Sequence, residues 1–139
     1  MKKILIAEDN AVNRELLREL LEMHGHTVME AIHGEEALRM AEESRPDILL
    51  LDMGMPVLDG YGTIRKIREN PAFVGLPVLA VTAYAMQGDK ERILSCGFDG
   101  YLSKPINPTL LFQELERLLS RAEGESGPED RAEAATGGK

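Results

Sequence analysis

Three short apolar runs dominate the chain: Ile4-Leu5-Ile6-Ala7, Ile48-Leu49-Leu50-Leu51 and Val78-Leu79-Ala80-Val81. None alternates with polar residues, the pattern of strands buried on both faces of a parallel sheet. Each run is closed by a group able to do chemistry. Glu8-Asp9 follows the first, Asp52 the second and Thr82 the third, while Lys104 follows a shorter run, Tyr101-Leu102. Three carboxylates, a hydroxyl and an ammonium are thus expected at the carboxyl edge of one sheet, where open α/β sheets bind ligands.

Segments of helical character separate these runs. Val12, Leu16, Leu17, Leu20 and Leu21 recur at helical spacing over 11–24, with Gly25 as a stop. Gly34-Glu35-Glu36 opens a second helix with acids in its first turn and Ala37, Leu38 and Ala41 facing inward. Gly60 opens a third, carrying Ile64 and Ile67 and fading at Asn70-Pro71. Further helices are expected over 87–96 and 107–120, and strands over 26–31 and 100–102. Strand and helix alternate five times, which predicts an α/β fold: a doubly wound, five-stranded parallel sheet with helices on both faces. Right-handed crossovers restrict the topology, and the flavodoxin-like order 2-1-3-4-5 is favoured because it puts the three most apolar strands at the centre.

With 139 residues the chain is expected to form one domain, over 1–121. Residues 122–139 contain no Leu, Ile, Val or Phe and are expected to form a disordered acidic tail. Met1-Lys2-Lys3 is basic, but the apolar stretch before Glu8 is too short for an export signal. The lone Cys96 fits a reducing cytoplasm. No segment is long and apolar enough for membrane insertion. The formal net charge of −8 opposes direct binding to nucleic acid.

If Glu8, Asp9 and Asp52 meet within about 4 Å, each pair repels by roughly 4 kcal/mol at an effective dielectric near 20. A proton on one carboxyl or a bound divalent cation relieves this, and a small hard-oxygen site suits Mg²⁺. For Glu8-Asp9 alone, capping the helix at 11 is a sufficient explanation, through Asp9 or Asn10; Asp52 weakens it. Beside a cation and Lys104, Asp52 can act as a nucleophile towards phosphorus, with Thr82 donating to an equatorial oxygen. A flavin phosphate would be repelled by Glu8-Asp9, and neither glycine-rich nucleotide signature is present. A phosphohydrolase would want an acid two residues after Asp52, where Gly54 stands. A phosphoryl group that stays on the protein is therefore the better expectation. The three histidines are too scattered for a zinc site.

Four stretches together resemble the receiver domains of two-component response regulators, over about residues 2–120. They are Ile4–Asn10, Asp52-Met53-Gly54-Met55-Pro56-Val57-Leu58-Asp59-Gly60, Val81-Thr82-Ala83 and Tyr101-Leu102-Ser103-Lys104-Pro105. The run from Thr82 to Asp89 looks like single-domain DivK-type regulators and hybrid-kinase receivers. The resemblance implies a CheY-like (βα)5 fold and a signalling role rather than turnover of an external substrate. It implies that Asp52 accepts phosphoryl from a histidine kinase or a histidine phosphotransfer protein. Mg²⁺ would be held by Asp9 directly, Glu8 through water, Asp52 and the Gly54 carbonyl. Thr82 and Lys104 would engage the phosphoryl group, Tyr101 would be an aromatic switch, and Pro105 would follow a cis peptide. Gly54 and Tyr84 occupy the positions that tune phosphoryl lifetime. Output would pass through the surface of helix 87–96, strand 100–102 and helix 107–120 to a protein target. The phosphodonor would dock on the first helix, on a face including Ala11, Arg14, Glu15 and Arg18.

Overall fold

A computed structural model of the chain describes residues 2–55, 58–83 and 87–124, without the side chains of 87, 88 and 122–124. Five strands, β1 (Lys3–Ala7), β2 (Thr27–Ala31), β3 (Ile48–Asp52), β4 (Val78–Thr82) and β5 (Gly100–Ser103), form one sheet of order β2-β1-β3-β4-β5. All four pairings are parallel. The helices are α1 (Ala11–Met23), α2 (Gly34–Ser44), α3 (Gly60–Glu69), α4 (Gln87–Ser95) and α5 (Pro108–Gly124). The doubly wound architecture and strand order are those expected from the sequence.

Successive strand residues point to opposite faces. Leu5, Leu49, Val78 and Ala80 pack with Ala37, Ala41, Ile64, Ile67 and Ile93, so α2, α3 and α4 cover one face. Ile4, Ile6, Ile48, Leu50, Leu79 and Leu102 pack with Leu17, Leu21, Leu111, Leu115 and Leu118, so α1 and α5 cover the other. Central strands with helices on both sides are apolar up to their last residue, and β3 and β4 are buried throughout. The edge strand β2 is only half-buried over most of its length.

Polar side chains fix where the helices begin. Asn10 caps α1, its Oδ1 accepting from Asn13 N–H at 2.9 Å. Asp59 caps α3 through Gly62 N–H. His33 caps α2, its Nδ1 accepting from Glu36 N–H at 3.1 Å, while Glu36 accepts from Ile32 N–H. The cap satisfies one backbone donor that a helix start leaves open, and Glu36 in return ties down the backbone just before the cap.

Details depart from the sequence reading. Val12 and Leu16 do not face the core; they are 74% and 45% exposed. Leu17 and Leu21 carry the packing, and Leu20 is half-buried. Residues 12, 16 and 20 make a second stripe beside 17 and 21. A period of 3.6 residues cannot say which of two adjacent apolar stripes meets the sheet. A 3₁₀ turn, Pro71–Phe73, follows α3 and buries Phe73. Helix α5 continues to Gly124, past the expected end at 120. The expected disorder of the tail concerns residues of which 125–139 lie outside the described ones. None of the described helices is long and apolar enough to cross a membrane.

Candidate acidic site at the strand ends

Register brings the strand-end groups together. Ala7 pairs with Leu51, so Glu8 emerges beside Asp52. Asp52 pairs with Val81, and Thr82 with Ser103, just before Lys104. The ladders continue past the strands through Glu8 N–H to Ala31 O at 3.0 Å, Met53 N–H to Val81 O at 2.9 Å and Lys104 N–H to Thr82 O at 2.8 Å. Glu8, Asp52 and Lys104 each lie two residues beyond a side chain in the α1–α5 layer: Ile6, Leu50 and Leu102. The pleat therefore sends all three the same way.

One oxygen from each of Glu8, Asp9 and Asp52 falls within a group spanning 4.8 Å. Lys104 Nζ lies 3.2 Å from Glu8 Oε1 and 3.2 Å from Asp52 Oδ1. Asp52 Oδ1 also accepts from Gly54 N–H at 3.2 Å. Glu8 and Asp52 are buried, at 1% and 5% exposure, and Thr82 is buried beside them in β4. Asp9 is exposed.

The charges are only partly compensated. Burial pushes the Glu8 carboxyl up to about 7, against the Asn10 N–H bond at 3.1 Å; Asp52 raises it further and Lys104 lowers it. Burial pulls the Lys104 ammonium down, but the Asp52 and Glu8 carboxylates outweigh that and the net shift is upward. Among the described residues no well-aligned hydrogen bond reaches the buried Glu8 Oε1, and Lys104 Nζ is its charged neighbour at 3.2 Å. An under-satisfied buried carboxylate oxygen, next to two more carboxylates, is the donor set a hard cation needs. The residues present fit Mg²⁺.

The Lys104–Pro105 peptide is cis. Gly54 is exposed just after β3, and a Cβ there would meet nothing within 4 Å. Tyr101 is half-buried in β5 opposite Ala80, with Lys90 Nζ of α4 5.7 Å from its ring centre. Tyr84, expected to tune phosphoryl lifetime, lies outside the described residues, as do Pro56 and Val57. Arg14 and Arg18, expected on the face that meets the phosphodonor, are each partly buried. Both pair with Glu30 of β2, at 3.1 and 2.8 Å. Local spacing on α1 cannot show that an edge strand offers a carboxylate across the gap.

The model of the response regulator receiver domain matches residues 4–116, nearly the whole folded part. The chain belongs to this family. It is 37% identical to the polar-differentiation response regulator DivK of Brucella anthropi over 87% of this chain and 98% of that protein. It is 43% identical to hybrid signal transduction histidine kinase I of Dictyostelium discoideum, over 86% of this chain but only 7% of the kinase. Among solved structures, a receiver domain of a Pseudomonas aeruginosa sensor histidine kinase superposes with a TM-score of 0.79 at 39% identity. That match covers 86% of this chain and 98% of the other, which holds a magnesium ion coordinated in its active-site cleft. The receiver domain described here is thus a two-component signalling module, and its acidic cluster lies at the carboxyl edge of the sheet.

Proposed function

We propose that this receiver domain is a phosphoacceptor in a two-component phosphorelay and that Asp52 carries the phosphoryl group. The observation that supports it most is Lys104 Nζ at 3.2 Å from the Asp52 carboxylate, with the Glu8 and Asp9 oxygens grouped alongside. An Asp52 oxygen attacks phosphorus of a phosphohistidine on a histidine kinase or phosphotransfer protein. The new P–O bond forms as the P–N bond breaks, and its electron pair leaves on the donor imidazole. Lys104 compensates charge on the transferred oxygens, and the Thr82 hydroxyl donates to one of them. Glu8, Asp9, Asp52 and the Gly54 carbonyl would hold Mg²⁺, which when bound neutralises charge on the phosphoryl oxygens. The chain's catalysis is confined to gaining and losing its own phosphoryl group, with Gly54 and Tyr84 setting the lifetime.

Phosphorylation adds a group with three strong acceptor oxygens at the end of β3. Moving a two-state equilibrium from mostly inactive to mostly active takes about 5.5 kcal/mol of differential stabilisation, within reach of new charge-assisted bonds to Lys104 and Thr82. Thr82 follows Ala80 and Val81 in β4, and Tyr101 of β5 pairs with Ala80. A shift of Thr82 therefore reaches Tyr101 and, through it, the α4–β5–α5 surface, where a downstream protein binds. This reading makes the protein cytoplasmic, in keeping with its lone cysteine.

The exposed stripe of Val12 and Leu16 on α1 gives the phosphodonor an apolar contact. Val12→Asp is expected to slow phosphotransfer from a protein donor about tenfold, since a desolvated apolar contact is worth one to two kcal/mol, roughly. Its rate with acetyl phosphate is expected to be unchanged; equal rates with both donors for variant and wild type remove this docking face.

A pH dependence follows from Glu8. Its carboxyl titrates near 7 in the fold and at 4.5 ordinarily. Between those values the folded, metal-free state keeps a proton that the unfolded state has lost, so stability falls as pH rises through this window. Glu8→Gln removes the charge and keeps the shape. It is expected to stabilise the metal-free protein by about 2 kcal/mol at about pH 8 and to leave it unchanged at about pH 4. The same change weakens Mg²⁺ binding, because a ligand charge is lost. Thermal melting with and without Mg²⁺ at both pH values reads this, and a uniform loss of stability would contradict it.

A further inference from the structure

Arg14 has a role that the phosphoacceptor chemistry does not absorb. Its Nη1 donates to the Glu8 carbonyl at 2.9 Å and reaches the Asp9 carbonyl at 3.4 Å. Its Nε donates to Glu30 Oε1 at 3.1 Å, and Arg18 Nη1 donates to Glu30 Oε2 at 2.8 Å. The Arg14 side chain is 19% exposed, so the guanidinium is held rather than solvated. One planar group spans the first helix, the edge strand and the loop that carries two of the three clustered carboxylates.

We propose that Arg14, held by Glu30, is a positioning residue that presets the Glu8-Asp9 loop for a divalent cation; this rests on the metal-binding reading above. The two carbonyls belong to the residues whose carboxylates enter the cluster. Fixing those peptide planes fixes the directions in which both side chains leave the backbone. Asp9 is exposed, and without the guanidinium behind its backbone it is expected to sample other rotamers, so ordering it must be done when the cation binds. Groups that orient ligands from behind typically change metal affinity by about 10–100-fold.

Charge pulls the other way. Arg14 is a cation near the cluster, and removing it favours Mg²⁺ electrostatically. Glu30 offsets that charge, and the solvent-facing edge of the loop screens it. Geometry and charge therefore predict opposite signs for Arg14→Gln, and Arg14→Lys separates them. Lysine keeps the charge but has no planar fork to hold Glu30 and a carbonyl at once.

The test is calorimetric titration of the full chain with Mg²⁺, alongside thermal melting of the metal-free protein. Arg14→Lys is expected to raise the Mg²⁺ Kd about tenfold. Arg18→Gln, which loses its bond to Glu30 but does not touch the loop, is expected to stay within about twofold. An Arg14→Lys Kd equal to or tighter than wild type overturns the proposal, as does an equal weakening in Arg18→Gln that tracks a lower melting temperature. If the wild type itself takes up no Mg²⁺ while remaining folded, the metal-binding reading fails first, which distinguishes the two failures.

Discussion

Asp52→Asn is expected to abolish phosphoryl uptake, lowering incorporation from acetyl phosphate at least about a thousandfold. The amide keeps the shape of the carboxylate but has no anionic oxygen to attack phosphorus. The fold should tolerate the change. Asp52 is buried beside Glu8, whose carboxyl is already pushed up in part by Asp52 itself. Removing one of two like charges relieves repulsion, while Lys104 keeps its contact with Glu8 at 3.2 Å. Stability of the metal-free variant is therefore expected within about 1 kcal/mol of wild type. Intact-protein mass spectrometry checks the first expectation and chemical denaturation the second. A variant that is phosphorylated as fast as wild type moves the acceptor elsewhere.

Lys104→Met is expected to fail differently. The methionine stem fills much the same volume, but the ammonium between Glu8 and Asp52 disappears. Leaving a buried carboxylate without its partner costs about 3–5 kcal/mol before relaxation. Glu8 recovers part of this by holding a proton more firmly, so the net loss at about pH 8 is expected near 2 kcal/mol. Saturating Mg²⁺ should restore most of it, because the cation takes over the neutralising role. Phosphoryl uptake is expected to fall by about a hundredfold even with Mg²⁺ present, as removal of one preorganised charge from a transferring group does. Stability without Mg²⁺ rescue, or undiminished uptake, would show that Lys104 is a surface lysine that happens to lie near.

The sequence carried most of the architecture because the central strands leave little choice. Ile48-Leu49-Leu50-Leu51 must be covered on both faces, and strand–helix alternation with right-handed crossovers does the rest. The strand ends were legible for the same reason: a strand's last residue is fixed by where its apolar run stops. Glu8, Asp52 and Lys104 share a direction because each follows a residue of the α1–α5 layer by two positions. What sequence did not give was lateral. The choice between Leu17 and Leu16 as the inward face of α1 depends on which stripe the sheet meets. The capture of Arg14 and Arg18 by Glu30 joins residues of different elements across an edge, where local spacing carries no information. The cap of α2 was legible, by contrast: His33 stands where Asn or Asp often precedes the second helix of such domains, and its Nδ1 accepts from Glu36 N–H three residues on. Histidine is simply an uncommon residue there.

The proposed phosphorelay role requires that Asp52 become an acyl phosphate in the presence of Mg²⁺. The direct measurement is to phosphorylate the full chain with phosphoramidate and Mg²⁺, reduce with borohydride and map the peptides. An acyl phosphate at Asp52 is reduced to homoserine, and this conversion is expected at position 52, to require Mg²⁺ and to be absent without the phosphodonor. Homoserine at another aspartate, or none while the folded protein binds Mg²⁺, would contradict the account.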